Sequence, residues 1–153
     1  MRPDAPAPDW EVGEWLNTAT PLTLAGLRGK VVVVEAFQML CPGCVLHGIP
    51  QAQRIEALFP REHVAVIGLH AVFEHLAANT RAALAAFLHE YRVAFPVGVD
   101  RHEKGNPLPL TMQRYAMRGT PTLLLIDREG RLRQHWFGQV EDLLVGSEIA
   151  RLL

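Results

Sequence analysis

The chain has 153 residues, of which 49% are hydrophobic and 20% are charged, and its formal net charge is −1. This length and composition suit one globular domain with a substantial core, so we predict a single domain over residues 1–153. A net charge this close to zero gives no electrostatic basis for binding nucleic acid or an anionic membrane. No apolar tract reaches the length of a transmembrane helix, and we expect neither nucleic acid nor a membrane as partner.

Residues 1–9 are rich in proline and are predicted to form a flexible surface arm. This stretch lacks the apolar region of a signal peptide, so we expect a cytoplasmic protein. In that compartment a two-cysteine motif is more often catalytic than structural. The segment from Trp10 to Leu27 predicts two short strands, one at Trp15 to Asn17 and one at Leu22 to Leu24.

The segment from Val31 to Phe37 is an almost unbroken apolar run. Its β-branched residues fill both alternating sets, which is typical of a strand buried on both faces within a parallel sheet. The run leads into Cys41-Pro42-Gly43-Cys44, which contains the only two cysteines of the chain. A helix is expected after Cys44, interrupted or kinked at Pro50. Its apolar residues, at helical spacing, are Leu46, Ile49, Ile55 and Leu58.

The position of the cysteines between strand and helix predicts that the first sulfur is reactive. Cys41 falls at the helix cap and Pro42 in the first turn, where the missing N–H of proline costs nothing. The amides of Gly43 and Cys44, with the helix dipole, stabilise a thiolate, so we expect the pKa of Cys41 to lie below that of a free thiol. Cys44 should be more buried and act as the resolving thiol. The alternative is a pair of small buried core residues.

Glu35 is the one charged residue in the predicted buried strand, six positions before Cys41. A buried carboxylate is costly unless it is paired, so such a group usually stays protonated with a raised pKa. A carboxyl in this state can carry protons for a buried thiol. The alternative is that Glu35 reaches an edge of the sheet and bonds a backbone group.

The remaining pattern predicts strands and helices that pack around one sheet. The expected strands are Val64 to Leu69, Phe95 to Val99, Thr122 to Ile126 and Leu132 to Phe137. The expected helices are one capped by Thr80 with an apolar stripe of Leu84, Phe87, Leu88 and Tyr91, a short one through Tyr115, and a closing one from Val140 to Leu153. This order predicts an α/β fold, a three-layer sandwich with a mixed central sheet flanked by helices.

Two groups of histidines are candidate site residues. His47 lies three residues after Cys44, so both cysteines and His47 would offer three metal ligands. No second Cys or His pair has suitable spacing, so we expect no metal and interpret His47 as a tuning group or a surface residue. His70, Glu74 and His75 follow the second buried strand and are expected on the rim of the site; the alternative is a solvated loop.

The run from Gly29-Lys30 through the cysteine motif, with Gly119-Thr120-Pro121-Thr122 downstream, resembles the thioredoxin superfamily. The resemblance covers about residues 7–140 and is nearest to TlpA-like and related redoxin-type thiol-disulfide oxidoreductases. It implies a thioredoxin-like fold with an N-terminal strand extension, which the two short strands form as a hairpin. It also implies that the Thr120–Pro121 bond is cis, that Pro121 packs beside the cysteines, and that the Thr120 backbone, with Pro42 and Gly43, contacts the substrate.

The function implied by this resemblance is disulfide exchange by a redox-active Cys41–Cys44 pair with no further cofactor. Cys41 attacks a disulfide of a protein or low-molecular-weight thiol substrate, Cys44 resolves the mixed disulfide, and Glu35 accepts the proton; an unidentified electron donor completes the cycle. The alternative is a peroxiredoxin-like thiol peroxidase with an antioxidant role, because some peroxiredoxins carry Thr-Pro-Gly-Cys around the reactive cysteine. Phe37 stands where those proteins have a proline, and Leu40 stands where thioredoxins have tryptophan.

Overall fold

The apolar run that ends at the cysteines lies in the middle of a six-stranded mixed sheet in the computed structural model, which describes residues 4–153. The strands are β1 (Val12–Leu16), β2 (Val31–Phe37), β3 (Val64–His70), β4 (Val97–Asp100), β5 (Thr122–Ile126) and β6 (Leu132–Phe137). The helices are α1 (Ile49–Leu58), α2 (Arg81–Glu90), α3 (Leu110–Arg114) and α4 (Asp142–Leu152). The α/β sandwich predicted from the sequence is confirmed.

The sheet has the order β1-β4-β3-β2-β5-β6. Strands β2, β3 and β4 are parallel, whereas β1, β5 and β6 each run antiparallel to the strand that they join. The parallel strands place their carboxyl ends at one edge of the sheet, where the chain turns from β2 into the cysteine motif. This is the edge at which α/β folds usually carry their sites.

Both faces of β2 are covered, which accounts for its continuous apolar sequence. Val33 and Phe37 belong to a core that includes Ile49 of α1 and Ile149 of α4. The alternate residues, such as Val34, pack on the other side, in a core that includes Met112, Tyr115 and Ile126. Every residue of β2 is buried, the charged residue Glu35 included.

The predicted N-terminal hairpin is wrong in its second strand. The chain forms a short 3₁₀ turn at Ala25–Leu27, and β1 pairs with β4 instead. Thr23 Oγ1 accepts a hydrogen bond of 3.0 Å from the Gly26 amide, a local bond that favours a turn over a strand. The Leu22 carbonyl, which a hairpin ladder would use, accepts from Trp10 Nε1 at 2.7 Å.

The described part of the arm predicted for residues 1–9 lies against the start of β6, and its flexibility stays a prediction; residues 1–3 lie outside the described residues. The amide of Asp4 donates to the Leu132 carbonyl, and the amide of Ala7 donates to the Gly130 carbonyl, both at 2.9 Å. The arm is held there because the turn before β6 leaves backbone groups without partners from β5.

Helix α2 begins as predicted and ends one residue before the predicted stripe is complete. Thr80 Oγ1 accepts a hydrogen bond of 3.1 Å from the Ala83 amide, which caps the helix. Leu84 and Leu88 are buried, but Tyr91 is half-exposed because α2 stops at Glu90 and the chain leaves the helical path. None of the helices within residues 4–153 is long and apolar enough to cross a membrane.

We expect Gly98→Ala to lower the free energy of unfolding by about 1–3 kcal/mol, because the new methyl overpacks the β1–β4 pair. A Cβ at Gly98 would lie 2.8 Å from Val12 Cγ2 and 3.2 Å from Trp15 Cη2. Gly146→Ala is the matched control, since nothing lies within 4 Å of a Cβ there. Gly146 is inside α4, so this change should stabilise the protein by about 0.5–1 kcal/mol.

Urea unfolding of the two variants and the wild type measures both changes. Equal stability of the Gly98→Ala variant and the wild type would contradict the close approach of β1 to β4.

Candidate active site

The two cysteines lie just past the carboxyl end of β2 and are joined in a disulfide, with their Cα atoms 5.2 Å apart. Cys44 is fully buried, whereas Cys41 is half-buried. The sulfur of Cys41 is therefore the one that an incoming thiol or disulfide reaches first. The sequence predicted this difference in burial from the position of each cysteine, and it is confirmed.

The environment of Cys41 Sγ is polar on one side. The amide of Cys44 donates to this sulfur at 3.2 Å, and the carbonyl oxygen of Thr120 lies 3.5 Å from it. An amide N–H directed at the sulfur stabilises negative charge there, so the same contact favours a thiolate on Cys41 when the pair is reduced. The expected contribution of the Cys44 amide is thus present in the structure.

The helix that follows Cys41 is interrupted by a π turn, Cys44–Gly48, which leads directly into α1. The sequence predicted an irregularity at Pro50, whose missing N–H cannot donate to the carbonyl four residues earlier. The structure places the irregularity just ahead of Pro50, in this π turn. Turns of this kind are often found at functional sites. A Cβ at Gly48 would fall on the carboxyl group of Glu35 and lie 3.1 Å from Pro121 Cβ.

The Thr120–Pro121 peptide bond is cis, as the resemblance predicted. Pro121 packs against the cysteine segment at Gly43. The approach is so close that a Cβ at Gly43 would lie 3.2 Å from Pro121 Cδ. The carbonyl of Pro121 accepts a 2.8 Å hydrogen bond from the Gly138 amide just after β6. The loop that carries Thr120 is therefore held between the cysteine segment and the end of the sheet. Its contact with substrate stays a prediction.

Glu35 lies in the interior of the molecule, with a relative exposure of 1%. Its strand is central rather than at an edge, and its Oε1 atom is buried with no hydrogen-bond partner. The alternative of a carboxylate bonded to backbone at a sheet edge is therefore wrong. Burial raises the pKa of Glu35 well above its ordinary value, so the carboxyl holds its proton far more strongly than an exposed one does.

A cavity of about 200 Å³ lies beside Glu35. It is lined by Glu35, Pro121, Gly138, Gln51 and the exposed residue His47, among others. Gln51 is fixed at its wall by donating to the Val140 carbonyl at 2.7 Å. The cavity therefore lies between the buried carboxyl of Glu35 and exposed residues such as His47.

The histidines do not all lie where the sequence suggested. His70 is buried with a relative exposure of 2%, so its predicted place on a solvent-facing rim is wrong. The ring lies 5.3 Å from that of Phe37, and its Nε2 is 3.3 Å from Asn79 Oδ1. Burial lowers the pKa of His70 to about 4, so it is neutral at pH 7. Glu74 and His75 are exposed in the loop after β3.

Two neighbours of the site were missed by the sequence analysis. Gln38 is buried, and its Nε2 donates to Thr120 Oγ1 at 3.2 Å. Phe137 is half-exposed at the end of β6, where its ring covers Gly119: a Cβ there would lie 2.9 Å from Phe137 Cε2. Gln38 could have been found as a candidate site residue, because it is a polar residue directly after a buried strand. Nothing in the sequence places Phe137 beside Gly119.

Within residues 4–153 no group of three or more His, Cys, Asp and Glu side chains is arranged to hold a metal ion. The sequence offers Cys41 and Cys44 with His47 as three possible metal ligands. In the structure the sulfurs of the two cysteines are bonded to each other. The arrangement instead suits two-electron chemistry, because a half-buried sulfur faces polar groups and a buried partner sulfur stands behind it.

Residues 3–135 match the sequence profile of the AhpC/TSA family. Among solved structures, a thioredoxin-like superfamily protein is 62% identical with a TM-score of 0.94, covering 96% of this chain and 95% of the other. A protein described as a thiol-disulfide isomerase from Corynebacterium glutamicum is 50% identical with a TM-score of 0.94, covering 98% and 97%.

Among curated proteins, DipZ from Mycobacterium bovis is 28% identical over 153 residues. The match covers 96% of this chain and 20% of DipZ, so the chain spans about one fifth of that relative's length.

We expect a Glu35→Gln variant to gain stability relative to the wild type as pH rises. Below the ordinary carboxyl pKa, folded and unfolded wild type both hold the proton. Between that value and the raised folded pKa, only the folded state keeps it, so the wild type loses up to about 1.4 kcal/mol of unfolding free energy per pH unit. The variant has no such titration. Urea unfolding of both oxidised proteins from about pH 5 to pH 8 measures the difference.

His70 is common to the two proteins, so its protonation cancels in this comparison. A stability difference that does not change with pH would contradict a raised pKa at Glu35.

Proposed function

The chain belongs to the AhpC/TSA family, and from this premise we propose that it is a thiol-disulfide oxidoreductase that uses Cys41 and Cys44 as its redox-active pair. The observation that carries the proposal is the arrangement of the two sulfurs. Cys41 Sγ is accessible and receives the Cys44 amide at 3.2 Å, while Cys44 is buried behind it. The cytoplasmic location and the TlpA-like subgroup are part of the same proposal.

The reaction moves two electrons and two protons from a donor dithiol to a substrate disulfide. In the reduced enzyme, the Cys41 thiolate attacks one sulfur of the substrate, and the other substrate sulfur leaves as a thiolate that takes up a proton. Cys44 then loses its proton and attacks Cys41 Sγ, which releases the second substrate thiol and restores the Cys41–Cys44 disulfide. A donor dithiol reduces that disulfide by the same two steps in reverse.

Glu35 is the proposed proton acceptor for Cys44 in the second step. Glu35 lies two residues after Val33 and two before Phe37 on β2, so its side chain is on the same face as theirs, toward the core that contains Cys44. Desolvation brings the carboxyl pKa closer to that of a thiol, and proton transfer is most efficient between groups of similar pKa. The cavity beside Glu35 then returns the proton to solvent.

The substrate is proposed to lie against Thr120, Pro121, Pro42 and Gly43. Pro42 is exposed beside Cys41, and the Thr120 carbonyl lies 3.5 Å from Cys41 Sγ. Leu40, which directly precedes the motif, is 61% exposed and adds apolar surface there. A disulfide on an extended chain can therefore approach Cys41 while its backbone runs along the loop that holds Thr120.

A peroxidase is the second candidate, because the AhpC/TSA family also includes peroxidases. Its pattern assigns the peroxide-reactive sulfur to Cys44, the cysteine after Pro42-Gly43. Cys44 has a relative exposure of 0%, which opposes direct attack on peroxide. An antioxidant role belongs to this candidate alone.

We expect Cys44→Ser to accumulate a mixed disulfide with a disulfide-containing peptide, attached at Cys41. This variant keeps the attacking thiolate and lacks the resolving thiol. Cys41→Ser should form no such adduct, because its one remaining thiol, Cys44, is buried. Intact-mass measurement after acid quench, followed by peptide mapping, identifies the attachment site.

A peptide adduct on Cys44 in the Cys41→Ser variant would reverse the two roles. Rapid formation of a Cys44 sulfenic acid with hydrogen peroxide, without exchange toward the peptide, would favour the peroxidase instead.

We expect Glu35→Gln to leave the first attack by Cys41 nearly unchanged and to slow resolution by about ten- to a thousandfold, because the proton acceptor of Cys44 is gone. Rapid-quench measurement of the mixed disulfide over time separates the two steps. Asp100→Asn is the matched control, since Asp100 is a second buried carboxyl with a raised pKa but accepts bonds from the Thr111 and Met112 amides at the start of α3. If the Glu35→Gln variant turns over as fast as the wild type from pH 6 to pH 9, Glu35 is not the proton acceptor.

A further inference from the structure

Gln38 is a buried polar side chain that connects two loops at the site. It directly follows β2, and its relative exposure is 3%. Its Oε1 accepts hydrogen bonds from the amides of Phe73 and Glu74, both at 3.1 Å. Its Nε2 donates to Thr120 Oγ1 at 3.2 Å. One carboxamide group thus joins the loop after β3 to the loop that carries the cis peptide bond.

Thr120 is therefore fixed from two directions. Its hydroxyl oxygen accepts from Gln38, while its carbonyl oxygen lies 3.5 Å from Cys41 Sγ. The backbone of Gln38 also belongs to the turn that leads into the cysteine motif, because its carbonyl accepts a hydrogen bond from the Cys41 amide at 3.4 Å. A shift of the Gln38 side chain would move Thr120 relative to Cys41, the two groups that a substrate chain has to meet together.

The loop after β3, residues 71–79, is anchored at its two ends by other contacts. The Ala71 amide donates to the Phe37 carbonyl at 3.1 Å. At the other end, Asn79 Oδ1 lies 3.3 Å from Nε2 of the buried His70 at the end of β3. Between these anchors, the bonds from Gln38 hold the Phe73 and Glu74 backbone one carboxamide away from Thr120. Residues 73 and 74 are therefore tied to Thr120 through the Gln38 side chain.

We propose that Gln38 is a positioning residue for polypeptide substrates, which holds Thr120 beside Cys41 by tying it to the Phe73–Glu74 backbone. This inference rests on the proposed function and assigns its substrate class as disulfides on extended polypeptides. Gln38 does not touch the reacting sulfurs. It acts through Thr120 and the loop, so its loss affects substrates that contact Thr120 more than substrates that need only Cys41.

The physical basis is the number of polar groups that depend on one side chain. Without the Gln38 carboxamide, two backbone amides and one hydroxyl lose a partner in a partly buried place, and such groups find water or move. Either response changes the position of Thr120 relative to Cys41. A small disulfide requires only an approach to Cys41 Sγ, and the Cys44 amide beside that sulfur does not depend on Gln38.

The test compares a peptide that contains one disulfide with bis(2-hydroxyethyl) disulfide, using wild type and Gln38→Met, which keeps the chain length but removes the polar groups. We expect the KM for the peptide to rise about tenfold or more, in line with the loss of one or two hydrogen bonds. The kcat for the peptide and the kcat/KM for the small disulfide should stay within twofold. Gln38→Glu keeps the acceptor for both amides and should restore much of the peptide affinity.

Thr80→Ala is the matched control for a merely structural effect. It removes the cap of α2, directly after the same loop, without touching Gln38 or Thr120, so the ratio of the two activities should not change. Thr120→Val, which deletes the hydroxyl and keeps the backbone, should move the peptide KM in the same direction as Gln38→Met. This second variant decides the matter if Gln38→Met does not fold.

Equal losses toward both substrates, or a kcat effect without a KM effect, would overturn the inference while leaving the oxidoreductase in place. A wild-type protein that exchanges neither disulfide would overturn the proposed function itself, and the inference with it.

Discussion

The structure of the site depends on how closely the backbone of the cysteine segment approaches the loop with the cis peptide bond. Gly43 lies so near that a Cβ would be 3.2 Å from Pro121 Cδ, and at Gly48 a Cβ would meet both Glu35 and Pro121. Two positions on one face of this segment therefore have to lack a side chain. The π turn between them keeps both backbone approaches on the same side, over the carboxyl end of β2. These close contacts between backbone and side chain bring Glu35 and Pro121 together beside the cysteine segment.

The apolar surroundings that make this packing possible also determine the charge state of the site. Burial raises the pKa of Glu35 and lowers that of His70, so both groups favour their neutral forms. The polar contacts in the same region are directed instead at Cys41 Sγ, from the Cys44 amide. Negative charge is thus easiest to accommodate on the accessible sulfur of the pair, and His70, with its pKa lowered to about 4, adds no positive charge beneath it at pH 7.

The sequence predicted the elements whose residues carry a local signal. The apolar run of β2, the cysteine pair after it and the Thr80 cap follow from neighbouring residues, and the cis bond at Pro121 followed from the resemblance. The errors arose where partners distant in sequence decide the outcome. The segment from Leu22 to Leu24 has a strand-like pattern, but the Leu22 carbonyl accepts a hydrogen bond from Trp10. Strand β1 pairs with β4 instead of with this segment. The burial of His70 and the role of Gln38 likewise depend on side chains from other elements, such as Asn79 and Thr120.

The segment from Asp4 to Ala7 has a consequence for how the sheet ends. Strand β6 is an outer strand, and an outer strand offers unpaired N–H and C=O groups to which a second molecule can add a strand. Here the chain's own N-terminal segment takes up those groups at Gly130 and Leu132. Pro6, at the centre of the segment, bridges Arg131 and has no N–H to present on its outer side. The protein therefore closes this corner against intermolecular strand addition, and removing the segment would expose a site for aggregation.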